Sequence, residues 1–162
     1  MPRALRIVVV AAALLLAVPA IVAAAPDGAA TVAFGQPDHG SPFPPPEHDA
    51  SFNAKDNLVP RNVVISRPGN VTYVITAAPD GGPHQPAIYR PGTTPADVAI
   101  LGPGPFVNDP EGRVALGPLV GAGSVTWSPA AGTFSEPGSY LVICNFMPHF
   151  SFARMFGWVQ VK

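Results

Sequence analysis

The stretch GSYLVICNFMPHFSFARMFGW, residues 138–158, contains the only cysteine of the chain, Cys144. His149 follows it five residues later, and Met155 lies near the end of the stretch. A thiolate, an imidazole and a thioether within one short segment form a soft set of donor atoms, which suits copper or zinc. A site of two histidines, one cysteine and a weakly bound methionine needs one more imidazole, and His84, in GGPHQPAIY, is the candidate.

The first part of this stretch predicts a central β-strand. Tyr140, Val142 and Cys144 share one face of a strand, because side chains alternate between the two faces with a period of two. Leu141 and Ile143 line the other face and are also apolar. A strand that is apolar on both faces is buried on both, so we expect this one in the middle of a sheet.

Further strands are predicted within residues 51–162. Runs rich in β-branched and aromatic residues occur at 61–66, 71–76, 87–89, 124–128 and 158–162. The first two flank a turn signal, Pro68-Gly69-Asn70, and together predict a hairpin. The loop-rich stretch 91–123 predicts an excursion between two sheets. Many short strands separated by turn signals favour an all-β fold, an antiparallel sandwich or barrel.

The composition supports this fold class and excludes other classes of protein. A chain of 162 residues suits one domain, and its 22 prolines and 16 glycines argue against long helices. A formal net charge of −1, with 12% charged residues, leaves no basic patch for nucleic acid. A single cysteine excludes an internal disulfide and a dinuclear copper centre with two cysteines.

The N-terminal segment predicts export. Residues 1–25 have the pattern of a signal peptide, in which Arg3 and Arg6 flank the start of an apolar core at 7–18 and small residues follow at 23–25. An uncleaved membrane anchor is the alternative, since the apolar run is nearly long enough to span a bilayer. We therefore expect an exported protein, in the periplasm or at the extracellular face of the cell envelope, with membrane attachment only if this segment is retained.

Residues 26–50 predict a Pro-rich linker that is extended or disordered, which leaves 51–162 as the folded domain. The linker contains His39 and His48. Two histidines without a framework make a weak metal site, so solvated side chains are the simpler interpretation. Transient capture of copper is the alternative.

Six residues of the C-terminal stretch carry a family pattern: Tyr140, Cys144, Pro148, His149, Met155 and Gly157. This pattern resembles the ligand loop of the cupredoxins, the plastocyanin and azurin family of type 1 blue copper proteins. Members of the family have a further histidine near the end of an earlier strand, a position that His84 fits. The resemblance covers about residues 52–162 and implies a Greek-key β-sandwich with one Cu(I)/Cu(II) ion. The ligands that it implies are His84, Cys144, His149 and Met155.

Two features depart from the family pattern. Five residues separate His149 from Met155, where better-known members have three or four. Gln85 follows His84, where azurin-like proteins often have Asn, and this bears on the hydrogen bonds around the ligands. Met147 competes with Met155 for the axial position; we prefer Met155 because its place after the histidine matches the family.

Four protein ligands leave no open position for a substrate, whereas enzyme sites generally keep one. We therefore expect a carrier of single electrons and not an enzyme. The alternatives are a protein for copper capture, storage or delivery, and a copper enzyme with an open, non-blue site in which Met155 does not bind. A hydrolase that used Cys144 and His149 as its nucleophile pair would need a third group to orient them, and none is evident in the sequence. A metal-free sandwich that serves only for interaction is the last alternative.

Apolar side chains surround His149 in the sequence: Phe146, Met147, Pro148, Phe150 and Phe152. If His149 lies at the rim of the domain, as the resemblance implies, these side chains form an apolar docking patch. The partners expected there are redox proteins, such as a cytochrome, an oxidase or a reductase. The alternative is that they pack beneath the loop.

Overall fold

The computed structural model describes residues 28–35, 58–78, 82–100 and 102–162 of the chain. These residues form nine strands and one short helix. The predicted signal peptide, His39 and His48 lie outside the described residues. In the part of the chain that the structure covers, no helix has the length and apolar character needed to cross a membrane.

The strands are arranged in two sheets. The first sheet has the order β2-β1-β4-β7, formed by β1 (Ala29–Phe34), β2 (Leu58–Val59), β4 (Asn70–Ala77) and β7 (Gly123–Trp127). The second has the order β3-β9-β8-β5-β6, formed by β3 (Asn62–Ile65), β5 (Pro86–Pro91), β6 (Arg113–Leu116), β8 (Gly138–Cys144) and β9 (Phe156–Val161). The helix α1 (Met147–Ser151) lies between β8 and β9.

The two sheets enclose one main core, and the predicted all-β sandwich is confirmed. Alternate residues of β4 are buried, as the period of two requires. From the second sheet, Tyr140, Val142 and Cys144 of β8 enter the same core. Leu141 and Ile143, on the outer face of β8, pack in a second cluster beneath the loop between β5 and β6. β8 is the third of five strands, so its predicted central position is correct.

The sheets are mixed, which corrects the prediction of a wholly antiparallel fold. β1 pairs with β4 in parallel, and β3 pairs with β9 in parallel, whereas the other strand pairs are antiparallel. Parallel neighbours need a connection that leaves the pair and returns. Between β1 and β4 the chain provides one, because it passes through β3 in the opposite sheet.

The predicted hairpin of 61–66 with 71–76 is wrong. β3 and β4 occur at these positions, but they belong to different sheets. Both strands have one buried apolar face, and placing them in opposite sheets lets both faces meet in the core. The turn signal marks the crossing from one sheet to the other, where the backbone of Gly69 lies against that of Gly28.

The predicted linker 26–50 contains a strand, so the folded domain begins by Ala29 and not at residue 51. Val32 and Phe34 of β1 are buried in the main core. The alternation that makes this strand is present in the sequence TVAF, although the proline-rich residues after it dominate the composition of the segment. Residues 36–50 lie outside the described part.

The excursion predicted over 91–123 runs from β5 in the second sheet to β7 in the first, and it contributes the edge strand β6 on the way. β1 begins beside Asn70, at the same end of the sandwich where Val161 of β9 lies opposite Gly138 of β8. Cys144 is at the other end of β8. The first described strand and the last one therefore start and finish at the end far from Cys144.

Candidate metal centre

Three side chains meet at the end of the sandwich where Cys144 lies. His84 lies just before β5, where its backbone N–H and carbonyl are both hydrogen-bonded to the backbone of Val120. Cys144 is the last residue of β8, and Pro86 of β5 is its partner in register. His149 lies in α1. The three residues form a group whose donor atoms all lie within 4.8 Å of one another.

The spacing of the donor atoms fits a single metal ion. Sγ of Cys144 is 3.8 Å from Nδ1 of His84 and 3.7 Å from Nδ1 of His149, and the two Nδ1 atoms are 3.2 Å apart. A point in the plane of these three atoms is about 2.1 Å from each of them, and bonds from zinc to imidazole and thiolate measure about 2.0–2.3 Å. One thiolate and two imidazoles in this arrangement fit a copper ion.

The surroundings keep the imidazole of His84 in the form that binds metal. Its side chain has no exposed surface, and burial together with the nearby His149 lowers its pKa to about 3. The ring is therefore neutral near pH 7, and a metal ion requires a neutral imidazole. Cys144 is also fully buried, which limits access of oxidants to the thiol.

Known structures share this architecture. An auracyanin from the photosynthetic bacterium Roseiflexus castenholzii superimposes with a TM-score of 0.51 at 18% identity, over 84% of this chain and 98% of that chain. The azurin Az-iso2 from the methylotroph Methylomonas sp. strain J gives a TM-score of 0.52 at 16% identity, over 83% of this chain and 98% of its own. The chain has the cupredoxin fold. No family model matches the sequence, and no curated protein matches it.

In this cupredoxin fold, the segment after Cys144 contains a helix where the sequence predicted only a loop. Pro148 lies in the first turn, where its missing N–H breaks no hydrogen bond. The N–H groups of His149 and Phe150 donate to the carbonyl of Phe146, at 3.0 and 3.2 Å. The helix has only five residues, too few for a helical period to be visible in the sequence.

Met155 and Met147 lie on different sides of the cupredoxin sheet. Met155 is fully buried in the main core, the cluster that also contains Cys144, and its carbonyl accepts a hydrogen bond of 3.0 Å from the N–H of Cys144. Met147 is partly buried against the second cluster, beside residues such as Leu141. Of the two methionines, Met155 therefore occupies the same core as the thiol.

Phe34, the last residue of β1, and Gly35 after it contact His84, although they lie in the segment that the sequence predicts as a linker. The ring of Phe34 meets the imidazole edge to face, with centroids 6.2 Å apart. Gly35, at a φ of +95°, lies so close to the imidazole that a Cβ there would be 2.7 Å from its Cδ2 atom. The glycine after the alternating TVAF run was the available signal.

The apolar residues around His149 divide between surface and core. Phe146, Met147 and Pro148 are half-buried, and the ring of Phe146 packs against the His149 ring with centroids 4.7 Å apart. Phe150 is buried in the second cluster, so its predicted place in a docking patch is wrong. The helix directs the side chain of Phe150 inwards, where its ring packs against that of Phe156. Phe152 is exposed.

Proposed function

We propose that this protein is a type 1 blue copper protein that carries single electrons between redox partners. The observation that supports this most directly is the triangle of His84, Cys144 and His149, whose donor atoms are spaced for one ion and are almost wholly removed from water. Two imidazoles and one thiolate are the equatorial set of blue copper electron-transfer sites.

His84, Cys144 and His149 would hold the copper ion, with Met155 as a fourth, weaker ligand. Met155 is supported by its complete burial in the core that contains Cys144 and by the backbone hydrogen bond between the two residues. Met147 packs against the other side of the sheet, which argues against its binding the same ion.

A bound copper ion supplies a one-electron couple. The residues of this chain hold the donor atoms in place as the charge changes: the backbone of His84 is bonded to Val120 in both directions, each at 2.9 Å. Cys144 is held by strand pairing, since it lies opposite Pro86 of β5, and by the hydrogen bond from its N–H to the carbonyl of Met155. A set of fixed donors that is complete without a substrate favours a carrier over a catalyst.

The proposed docking surface consists of Phe146, Met147, Pro148 and Phe152. These apolar side chains are half-buried or exposed and lie within three residues of His149 in the sequence, and the segment from Cys144 to Ala153 carries no acidic, lysine or arginine side chain. An uncharged apolar patch suits a partner with a similar patch around its own redox centre, such as a cytochrome, an oxidase or a reductase. The signal-like residues 1–25 support export to the periplasm or the extracellular face.

The visible and electron-paramagnetic-resonance spectra of the protein with one equivalent of Cu(II) test this function. An intense blue thiolate band with narrow hyperfine splitting is expected, together with a reversible one-electron couple in voltammetry. A pale or red product with ordinary splitting would instead indicate an open site, and rapid loss of copper to a chelator would indicate copper handling. Absence of binding would leave a metal-free sandwich.

A further inference from the structure

A line of aromatic rings connects His84 with the outer edge of the first sheet. The ring of Phe34 lies edge to face with the His84 imidazole, at 6.2 Å between centroids, and edge to face with the Tyr73 phenol, at 6.3 Å. The Tyr73 ring in turn lies 5.7 Å from the ring of Trp127, with 31° between the two planes. Three consecutive ring contacts therefore lead from a proposed copper ligand to Trp127.

The line begins in the main core and ends at the surface. Phe34 and Tyr73 have no exposed surface, whereas Trp127 is half-buried. Trp127 is the last residue of β7, the edge strand of the first sheet, and lies opposite Tyr73 in register. The backbone of Gly117 lies against the indole, since a Cβ there would be 3.0 Å from Cε3 of Trp127. Packing therefore holds all these rings in place, and the last of them can be reached from outside the domain.

The hydroxyl of Tyr73 is not explained by packing. It is buried, and it has no hydrogen-bond partner among the residues that the structure describes. Because burying an unpartnered hydroxyl costs free energy, phenylalanine would fill this place with a gain in stability. Burial also raises the pKa of the Tyr73 phenol well above its usual range, so the phenol keeps its proton. What the hydroxyl adds is electron density, which makes a phenol easier to oxidise than a phenyl ring.

Conjugated rings assist electron transfer through a protein core, because the energy gap to their π orbitals is smaller than the gap in saturated side chains. We propose that Phe34, Tyr73 and Trp127 form a second electron route, which links the copper site to the edge of the first sheet. The route leaves the site through His84 and does not pass through His149. The proposal rests on the proposed function, because it needs a one-electron centre at His84. One electron passes from Cu(I) to a one-electron oxidant beside Trp127; copper becomes Cu(II), the oxidant is reduced and no proton moves.

The test places a photoactivated ruthenium polypyridyl label beside the end of the route. Val125 is 42% exposed and lies two residues before Trp127, on the same face of β7, so Val125→Cys provides the attachment point. Cys144 is fully buried, so the label attaches to the introduced thiol. A flash in the presence of an electron-accepting quencher oxidises the label to Ru(III). The rise of the blue Cu(II) band then measures the rate at which Cu(I) supplies an electron.

Three variants weaken the route, and a matched one leaves it intact. Relative to the labelled parent, Tyr73→Phe is expected to slow electron transfer several-fold, and Tyr73→Leu and Phe34→Leu are expected to slow it further. Phe134→Leu is the control, because Phe134 is also a buried aromatic residue of the main core but packs against Tyr140. It is expected to keep the parent rate. The spectrum and reduction potential of each variant separate a change in driving force from a change in the route.

Parent rates in both Tyr73 variants, with the blue spectrum kept, would overturn the proposal, as would equal slowing in Phe134→Leu. If Tyr73→Leu does not fold, Tyr73→Phe and Phe34→Leu decide. The metal-free proteins give an independent readout: the thermal midpoint of Tyr73→Phe is expected to rise, because an unpartnered hydroxyl is removed. A lower midpoint would show that the hydroxyl serves the fold, which contradicts the proposal.

A second measurement separates the route from the function on which it rests. The flash-oxidised label also oxidises Trp127, and the lifetime of the indole radical is compared between the Cu(I) protein and the metal-free protein. Trp127→Leu identifies this signal, since Trp158 is the other tryptophan of the chain. If the protein binds no copper, the proposed function fails. If copper gives the blue spectrum but leaves the radical lifetime unchanged, the function stands and the route fails; a shorter lifetime with Cu(I) supports both.

Discussion

The strand region of the metal centre and its helix region hold their side chains in different ways. In the strand region, His84 and Cys144 are fully buried; the backbone of His84 is hydrogen-bonded to Val120, and Cys144 pairs in register with Pro86. In the helix region, the N–H of His149 donates to Phe146, and the N–H of Met155 donates to the carbonyl of His149. Most of the backbone bonds that shape this region therefore stay within a segment of about ten residues.

This difference explains how the chain accommodates a longer spacing between His149 and Met155 than the family pattern has. Two of the five residues between His149 and Met155 lie in the helix, and none of the five belongs to a strand. The same insertion beside His84 would shift the register of β5 against β8. The strand region sets the geometry of the site, whereas the helix region can vary in length and shape the surface.

The largest effect is expected from the strand region, on replacing Cys144 by Ser. Serine has no sulfur, and its hydroxyl stays protonated near neutral pH. It therefore cannot replace the anionic thiolate that a blue site needs. We expect the blue absorption band to disappear and copper affinity to fall by at least about 100-fold. Absorption titration with Cu(II) measures both. A blue product from Cys144→Ser would contradict the ligand assignment.

In the helix region, Met155→Leu is expected to keep the blue colour and to raise the reduction potential. Leucine fills a similar volume but offers no donor atom to stabilise the oxidised ion. A tenfold change in the balance between oxidation states corresponds to about 59 mV for a one-electron couple, and we expect a shift on this order. Met147→Leu is the control, with no shift expected in voltammetry. The reverse result would assign the axial position to Met147.

A smaller effect is expected at the outer edge of His149. Gly82 has a φ of +77°, and a Cβ there would lie 3.3 Å from Nε2 of His149 and 3.5 Å from its Cε1. Gly92, at +87°, has open space around its Cβ direction and is the matched control. Both alanine variants should lose about 1–2 kcal/mol of unfolding free energy through backbone strain.

Only Gly82→Ala is expected to slow electron exchange with a small inorganic reagent, by several-fold, because its methyl group covers the imidazole. Stopped-flow reduction of the copper-loaded variants measures this. Equal rates in the two variants would show that electrons do not pass by this edge of His149.

The smallest effect is expected in the pH dependence of the unfolding free energy of the metal-free protein. The pKa of His84 is lowered from its ordinary value of 6.5 to about 3. Between these values the unfolded chain binds a proton that the folded protein does not, so this group makes the protein less stable as the pH falls from about 6.5 towards 3. Its contribution to the slope is at most about 1.4 kcal/mol per pH unit.

Urea unfolding of the metal-free protein between pH 4 and 8 measures this slope. In His84→Gln the slope between pH 4 and 6.5 should decrease by the contribution of up to one proton. An unchanged slope in this variant would mean that another group causes the acid sensitivity.

The sequence was sufficient for much of the site because three of its four proposed ligands lie within twelve residues of one another. The fourth, His84, follows a Gly/Pro break, and such breaks commonly precede a strand. The period of two also identified β8 as a central strand with Cys144 on its inner face. These signals are local, so one sequence is enough to read them.

What the sequence did not reveal depends on contacts between distant segments. A turn signal marks where a strand ends but not which sheet the next strand joins, so β3 and β4 were predicted to pair. β1 was missed because six residues beside a proline-rich stretch carry a weak pattern of their own. Phe150 was predicted at the surface, but the short helix directs its side chain into the second cluster. The sequence does not show this helix, so it does not show which of the neighbouring aromatic side chains points inwards.

The entry of β1 and the end of β9 at the far end of the sandwich have a practical consequence for attachment. β8 spans the sandwich from Gly138 to Cys144, about 20 Å at the usual rise of a strand. A domain fused to the amino end of β1 or to Lys162, or an electrode linked at either point, would hold the copper-binding end about that far away and facing outwards. Such a protein tethered to a surface would keep the proposed docking surface on its free side.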